Sequence, residues 1–443
     1  MGKQFAFLLL LLSVVALSAC APGGETRDWD ENTLIYANLS ESGPDREAID
    51  EFNRTHEDVQ IEVRDYLTAE GKGDKTRLFT EIATGKIPDI IDLGRNVDAS
   101  TTLLPYQRMA RGGYLEDLWP WIENDAELGR EALLEPPLKA AEVDGGLYIA
   151  FSAVMINTLA GAEHIVGDRT SWTLADLQEA FTSMPPDSTV LSYTFDRKSA
   201  FVYIACMCLD DYVDWETGQC SFDCEGFRKL VEFVASFPEQ SIFEQIDTTD
   251  FEAVMAVNRE CWEQLYSGRQ MLEQTMIGRL EDVQYLDSKF DGKASFVGYP
   301  VEDGSIGSCF YISGKRLAMS STCRNKEAAW EFLRRLFLPG GSAQSVDPIP
   351  VNRSDYELSK KCGISKTISN GFTPDYVIRA ATAEETQRYE DLLNSITKIE
   401  LCDKSVFDIV WECCSSYFAG DRTLDETVRM IENRVGLYVN ENR

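Results

Sequence analysis

The sequence predicts an α/β protein built as two lobes, and three observations carry that prediction. Strand-like and helix-like segments alternate from residue 33 to residue 93, as in a sheet covered by helices. The chain has 443 residues, and about 420 remain once an N-terminal leader is set aside, more than one hydrophobic core ordinarily supports. No internal repeat or low-complexity block offers a solenoid instead.

Thr33 to Ala37 is a short apolar run and reads as the first strand. Asp45 to Phe52 follows as a helix with Ala48, Ile49 and Phe52 on one face. Val59, Ile61 and Val63 alternate with Gln60, Glu62 and Arg64, the pattern of a half-buried strand. Leu78, Phe79 and Ile82 mark a second helix ending near Gly85, and Ile87 to Leu93 follows as a buried parallel strand. This β-α-β-α-β order places the loop after each strand along one sheet edge, where open α/β sheets bind ligands. Further on, Val190 to Tyr193 reads as another strand. Thr173 with Asp176, Thr382 with Glu385 and Thr423 with Glu426 have capping-box spacing, in which side chains satisfy the orphan amides of a helix start. Asn325 is placed to cap a helix burying Ala329, Phe332, Leu333 and Leu336. Leu424, Val428, Ile431, Val435 and Tyr438 form the apolar stripe of a final helix docked on a core.

The N-terminus carries Lys3 and then an apolar run from Phe5 to Leu12 that continues through Ala16. That run is shorter than the roughly 20 residues needed to span a bilayer, and its shape is that of a secretory leader over residues 1–19. Leu17-Ser18-Ala19-Cys20 resembles a bacterial lipobox, which implies that Cys20 is diacylated and becomes the new N-terminus. Residues 20–30 then serve as a flexible tether. The expected location is the extracytoplasmic face of the cell membrane, reached through this lipid anchor.

The formal net charge is −32, and losing Lys3 makes it −33. Such an excess repels phosphates, so no nucleic acid partner is expected. Twelve cysteines are present, and without Cys20 an odd eleven remain. Cys206, Cys208, Cys220 and Cys224 cluster, and disulfides, buried thiols and a zinc site all stay open there. Their C-x-C and C-x3-C spacings depart from the usual C-x2-C knuckle.

Several passages together resemble the family 1 extracellular solute-binding proteins, the maltodextrin-binding-protein-like group. Ala48 to Asn53 with Val59 to Val63 is similar to the family's first helix and second strand, and Gly85-Lys86-Ile87-Pro88-Asp89-Ile90-Ile91 to the next strand. Gly113 to Leu118, Asp144 to Tyr148 and Trp172 to Leu177 follow in family order, the last with its Thr and Trp exchanged. Val297-Gly298-Tyr299-Pro300, Asn325 to Leu333, Ile349-Pro350-Val351-Asn352 and Tyr417-Phe418-Ala419-Gly420 complete the series. The resemblance implies a periplasmic-binding-protein-like fold, two α/β lobes joined by a hinge with the ligand cleft between them. Crossings are expected near Ala150–Val154, Tyr311–Lys315 and Val351–Tyr356. Lobe one would hold 31–150 plus 314–352, and lobe two 151–313 plus 353–443. The implied function is a monomeric lipoprotein that captures a small solute, a sugar or oligosaccharide, and delivers it to ABC permease subunits. A peptide- or metal-binding lipoprotein of similar architecture, or a secreted glycan-active enzyme, is the alternative.

A sugar needs apolar faces for its C–H surfaces and polar groups for its hydroxyls. Candidates on post-strand loops are Asn38, Ser40 and Glu41 after the first strand, and Asp92, Arg95 and Asn96 after the third. In lobe two they are Phe195, Asp196, Ser199, Phe201 and Arg279, and Phe407 stands about where sugar-binding relatives carry a cleft aromatic. Leu93 occupies a position where those relatives have an aromatic. No G-x-S-x-G elbow or H-E-x-x-H motif is present, the only histidines are His56 and His164, and Gly71 to Thr76 reads as a turn rather than a phosphate loop. No cofactor and no catalytic residue is expected.

Overall fold

The computed structural model describes residues 32–40, 43–69, 71, 73–94, 106–215, 217–302, 304–340, 348–360, 366–369, 375–400 and 403–442. Cys20, the tether, Glu41, Arg95 and Asn96 lie outside the described residues. The strands run β1 (Thr33–Asn38), β2 (Gln60–Asp65), β3 (Ile90–Asp92), β4 (Ala153–Ala162), β5 (Val213–Asp214), β6 (Gln219–Cys220), β7 (Leu272–Ile277), β8 (Ala294–Phe296), β9 (Cys309–Ser313), β10 (Leu317–Met319) and β11 (Ile349–Pro350). A small hairpin, Lys366–Ile368 with Tyr376–Ile378, follows them.

The first sheet has the order β10-β3-β1-β2. β1 is parallel to both neighbours, with Asn38 opposite Asp65 and Ala37 opposite Ile91, so the loops after three strands gather at one edge. β10 runs antiparallel to β3, placing Leu317 opposite Asp92. The helix Arg46–Thr55 starts where the Asp45 carboxylate accepts from Ala48 N, and it buries Ile49 and Phe52. Lys75–Ala83 buries Leu78 and Ile82, whereas Phe79, expected with them, is 37% exposed because the next residue along a helix turns off the stripe. The expected strand over 87–93 contracts to Ile90–Asp92. Asp89 is engaged otherwise, its carboxylate accepting from Ile35 N at 2.9 Å.

In the second sheet β4 is the spine. It pairs antiparallel with β7 and β11 along one side and with β9 and β8 along the other. Val190 to Tyr193 is not a strand. Thr189 makes an isolated bridge to Gln270, and the chain then turns at Ser192, whose carbonyl accepts from Phe195 N at 2.9 Å.

Because side chains alternate along a strand, β4 packs on both faces. Ile156 and Ala160 join a core that also contains the first sheet, while Leu159 joins a second core with Phe201, Phe227, Val406, Val428 and Val435. The first core is continuous between the sheets through Ala150, Phe151, Val154, Ile312 and Val351. Three stretches of chain meet there. Ala150 bridges Leu317, Ala153 pairs with both Ser313 and Pro350, and Val351 N donates to Ser152 O.

All three expected capping boxes form, at Thr173, Thr382 and Thr423, and Asn325 caps Lys326–Arg334. The last helix, Leu424–Asn442, buries Val428, Ile431, Val435 and Val439, while Tyr438 is half-buried. Among the described residues no helix is long and apolar enough to cross a membrane.

Candidate functional site

At the carboxyl edge of the first sheet, Asn38, Ser40 and Asp92 come together as the loop order requires. Asn38 Nδ2 donates to Asp65 Oδ1 at 2.7 Å, and its Oδ1 accepts from Ser40 N at 3.2 Å. Asp92 is fully buried and accepts from Tyr36 OH and Lys315 Nζ, each at 2.9 Å, and from Gly94 N at 3.1 Å. Lys315 lies between β9 and β10, so this ion pair fastens β3 to a segment joining the two sheets. Burial and the neighbouring Asp92 carboxylate push the Tyr36 phenol far above its usual range.

The second-lobe candidates are held by local architecture. Asp196 caps the turn Arg197–Ala200 by accepting from Ser199 N at 2.7 Å. Phe201 is 1% exposed, with its ring centroid 5.2 Å from Phe407 and 5.1 Å from Trp411, inside the second core. Phe195 packs on Tyr203 instead. Arg279 sits at the start of the helix Leu280–Lys289, beside Glu281 and Asp282.

A cluster that sequence reasoning missed lies on the β4 face carrying Met155, Asn157 and Leu159. Near the junction this face is not covered by the second core. Met155 and its partner Tyr311 are half-buried, as are Met276, Gln274 and Met207 beside them. Asn157 sits at its centre. Its Oδ1 accepts from Tyr299 OH at 2.6 Å and Gln274 Nε2 at 2.9 Å, and its Nδ2 donates to Glu400 Oε2 at 2.9 Å. Burial raises the Glu400 carboxyl above its ordinary range, and the Asn157 hydrogen bond opposes that rise. Tyr299 is positioned by a glycine contact. A Cβ on Gly307 would stand 2.1 Å from Tyr299 O, so only glycine lets the two segments lie together. Thioether, phenol, amide and carboxyl groups on one partly open face are what a small polar ligand with apolar surface requires. The signal in the sequence was Asn157-Thr158 interrupting an otherwise apolar ten-residue strand.

A second contact joins the two parts of the molecule. Arg108, on the helix Tyr106–Arg111, donates to Asp403 Oδ2 at 2.8 Å and lies 4.5 Å over the Trp215 ring. Asp403 caps the helix Lys404–Phe418 through its other oxygen and accepts from Tyr438 OH at 3.2 Å. Burial lowers Lys75 nearby to about 8. The Asp403 carboxylate works against that shift, and Arg108 and Lys404 add to it.

Two cavities lie elsewhere. One of about 400 Å³ is lined by Trp119, Arg130, Glu135, Leu138, Glu142 and Arg353, and one of about 210 Å³ by Leu174, Cys208, Tyr212, Cys224, Leu230 and Glu302. Neither is lined by Met155, Asn157, Gln274 or Met276. Cys220, Cys224, Cys261, Cys413 and Cys414 are in no disulfide. Among the described residues no group of three His, Cys, Asp or Glu is arranged to hold a metal ion.

No protein-family model and no curated protein matches the sequence. Solved structures do match its fold. An extracellular solute-binding protein family 1 from Alicyclobacillus acidocaldarius is 16% identical, with 92% of this chain and 98% of that one covered at a TM-score of 0.51. The sugar-binding protein MalE from Xanthomonas citri is 14% identical, with 92% and 98% covered at 0.51. A periplasmic oligogalacturonide binding protein from Yersinia enterocolitica is 12% identical, with 93% and 99% covered at 0.52. A de novo designed esterase is also similar in fold. The fold is thus periplasmic-binding-protein-like, with two α/β lobes.

Proposed function

We propose that this chain is the extracytoplasmic solute-binding component of an ABC importer, capturing a sugar or oligosaccharide and releasing it chemically unchanged. The observation that carries this reading is the partly open β4 face, where Asn157 organises a polar network between half-buried Met155, Met276 and Tyr311. Ring C–H surfaces would rest on the thioethers and phenol, and hydroxyls would meet the amide and carboxyl groups. The rim formed by Asn38, Ser40 and Asp92 would close over this face, with Asp196, Ser199, Phe201, Phe407 and Arg279 shaping the opposite lobe.

On this reading lobe one comprises 31–150 plus 314–352 and lobe two 151–313 plus 353–443, hinged where Ala150, Ser313 and Pro350 meet. Cys20 carries the lipid, residues 20–30 tether the monomer to the membrane, and separate permease subunits accept the cargo. The lipobox-like Leu17 to Cys20 supports the anchor. No residue is assigned a catalytic role.

Met155, Met207 and Met276 also favour a second reading, since thioethers adapt to varied peptide side chains. A thermal-shift screen of neutral oligosaccharides, oligouronides and short peptides separates the two, because a ligand stabilises the folded state it binds. Stabilisation by sugars alone supports the proposal, and stabilisation by peptides alone replaces it.

A further inference from the structure

Arg108 and Asp403 meet on the side of the molecule away from the junction between the sheets. That junction engages β10, where Ala150 bridges Leu317, at one edge of the order β10-β3-β1-β2. The Asp403 carboxylate acts on Lys75 as well as on Arg108, and Lys75 opens the helix that follows β2, the opposite edge. Three strand spacings, about 14 Å, separate those edges. From the second core, three elements converge on the same point. Trp215 follows β5, Asp403 starts the helix Lys404–Phe418, and Tyr438 lies on the last helix with its ring centroid 6.1 Å from that of Trp215. The Arg108 guanidinium seats among them. It donates to Asp403 Oδ2 at 2.8 Å, lies 4.5 Å over the Trp215 ring and reaches Tyr438 OH at 3.5 Å. The Arg108 and Asp403 side chains are 21% and 15% exposed.

We infer that Arg108 is a latch between the two lobes: its seat on Asp403 and Trp215 exists only when the lobes are together, and it weights the chain toward that form before any solute arrives. This inference rests on the hinged two-lobe reading. Rotation about an axis moves each point in proportion to its distance from that axis. A hinge at Ala150, Ser313 and Pro350 therefore keeps the junction's own hydrogen bonds as the lobes part, whereas contacts at the far edge must break. An ion pair of this exposure is worth about fivefold in such an equilibrium, and the guanidinium stacked on an indole adds to it. That enriches the closed form without locking it, so solute completes the closure.

Small-angle X-ray scattering of the chain without added sugar tests the latch, with wild type, Arg108→Lys, Arg108→Glu and Trp215→Leu compared. Arg108→Glu places a second carboxylate against Asp403, and Trp215→Leu removes the platform from the other lobe. Both are expected to have a larger radius of gyration than the wild type, with the closed-to-open ratio falling about fivefold or more. Arg108→Lys, which keeps the charge but not the planar stack, is expected to fall between. A radius unchanged in Arg108→Glu, with circular dichroism showing the variant folded, overturns the latch. If Arg108→Glu fails to fold, Arg108→Lys and Trp215→Leu decide by the same criterion. The hinge is judged separately, on the wild type with the neutral oligosaccharide that gives it the largest thermal shift. Compaction by that sugar leaves hinge closure standing even where the latch has failed, and no compaction with the sugar bound removes the hinge and the latch with it.

Discussion

Arg108 Nη2 stands 2.8 Å from Asp403 Oδ2, joining a helix of the first core to the start of a helix in the second across 295 residues of sequence. The same Asp403 carboxylate caps its own helix, accepting from Ser405 N at 2.9 Å and Val406 N at 3.1 Å. One side chain thus fixes a helix start and ties the two α/β layers together. A double-mutant cycle of Arg108→Ala and Asp403→Asn in urea is expected to give a coupling of about 1 kcal/mol, as for a partly exposed pair. Coupling indistinguishable from zero would show that the contact holds nothing.

Lys75 costs stability at neutral pH. Its folded value of about 8 lies below its ordinary 10.5, so the unfolded chain binds more protons between those values and stability rises with pH across that window. Lys75→Met is therefore expected to melt higher than wild type at pH 7, with the gain shrinking toward pH 10. Thermal melts at both pH values check this, and a gain that grows with pH would contradict it.

Asp125 behaves in the opposite sense. Its carboxylate accepts from Arg334 at 2.7 and 2.8 Å and from Trp330 Nε1 at 3.0 Å, and the Arg334 hydrogen bond holds it down at about 2. The folded value is depressed from 3.8, so the stabilisation is present above that pH and lost as pH falls toward 2. Asp125→Ala is expected to cost about 3 kcal/mol in urea unfolding at pH 7, since it leaves a mostly buried guanidinium without its main partner. The cost should be much smaller at pH 2.5.

Asn157→Leu keeps the branching and heavy-atom count of the side chain and removes the centre of the β4 network. It leaves Tyr299 OH and Glu400 without this partner, at about 1–3 kcal/mol of stability. Loss of stabilisation by every sugar that protects the wild type is expected in thermal-shift measurements, and full retention would place the solute elsewhere.

Cys20→Ser should abolish incorporation of labelled palmitate in bacterial cells and release the chain from the membrane fraction. Undiminished labelling would remove the lipid anchor from the account.

Much of the fold was legible because it rests on local chemistry. Thr173, Thr382 and Thr423 announced helix starts with side chains that bond their own neighbours, and β1 to β3 followed from apolar periodicity. Val190 to Tyr193 was misleading because its apolar residues serve a turn as well as they would a strand. Asp196 and Ser199 show why site residues are harder, as the same side chain that contacts solute in one loop caps a helix turn in another. The Asn157 cluster brings together residues 157, 274, 299 and 400, and no sequence window contains that arrangement.

If two lobes close on a sugar held at the β4 face, small-angle X-ray scattering with and without a saturating bound sugar registers the closure. A smaller radius of gyration on binding, absent in Asn157→Leu at the same sugar concentration, is the predicted result. An unchanged radius with sugar demonstrably bound would contradict it.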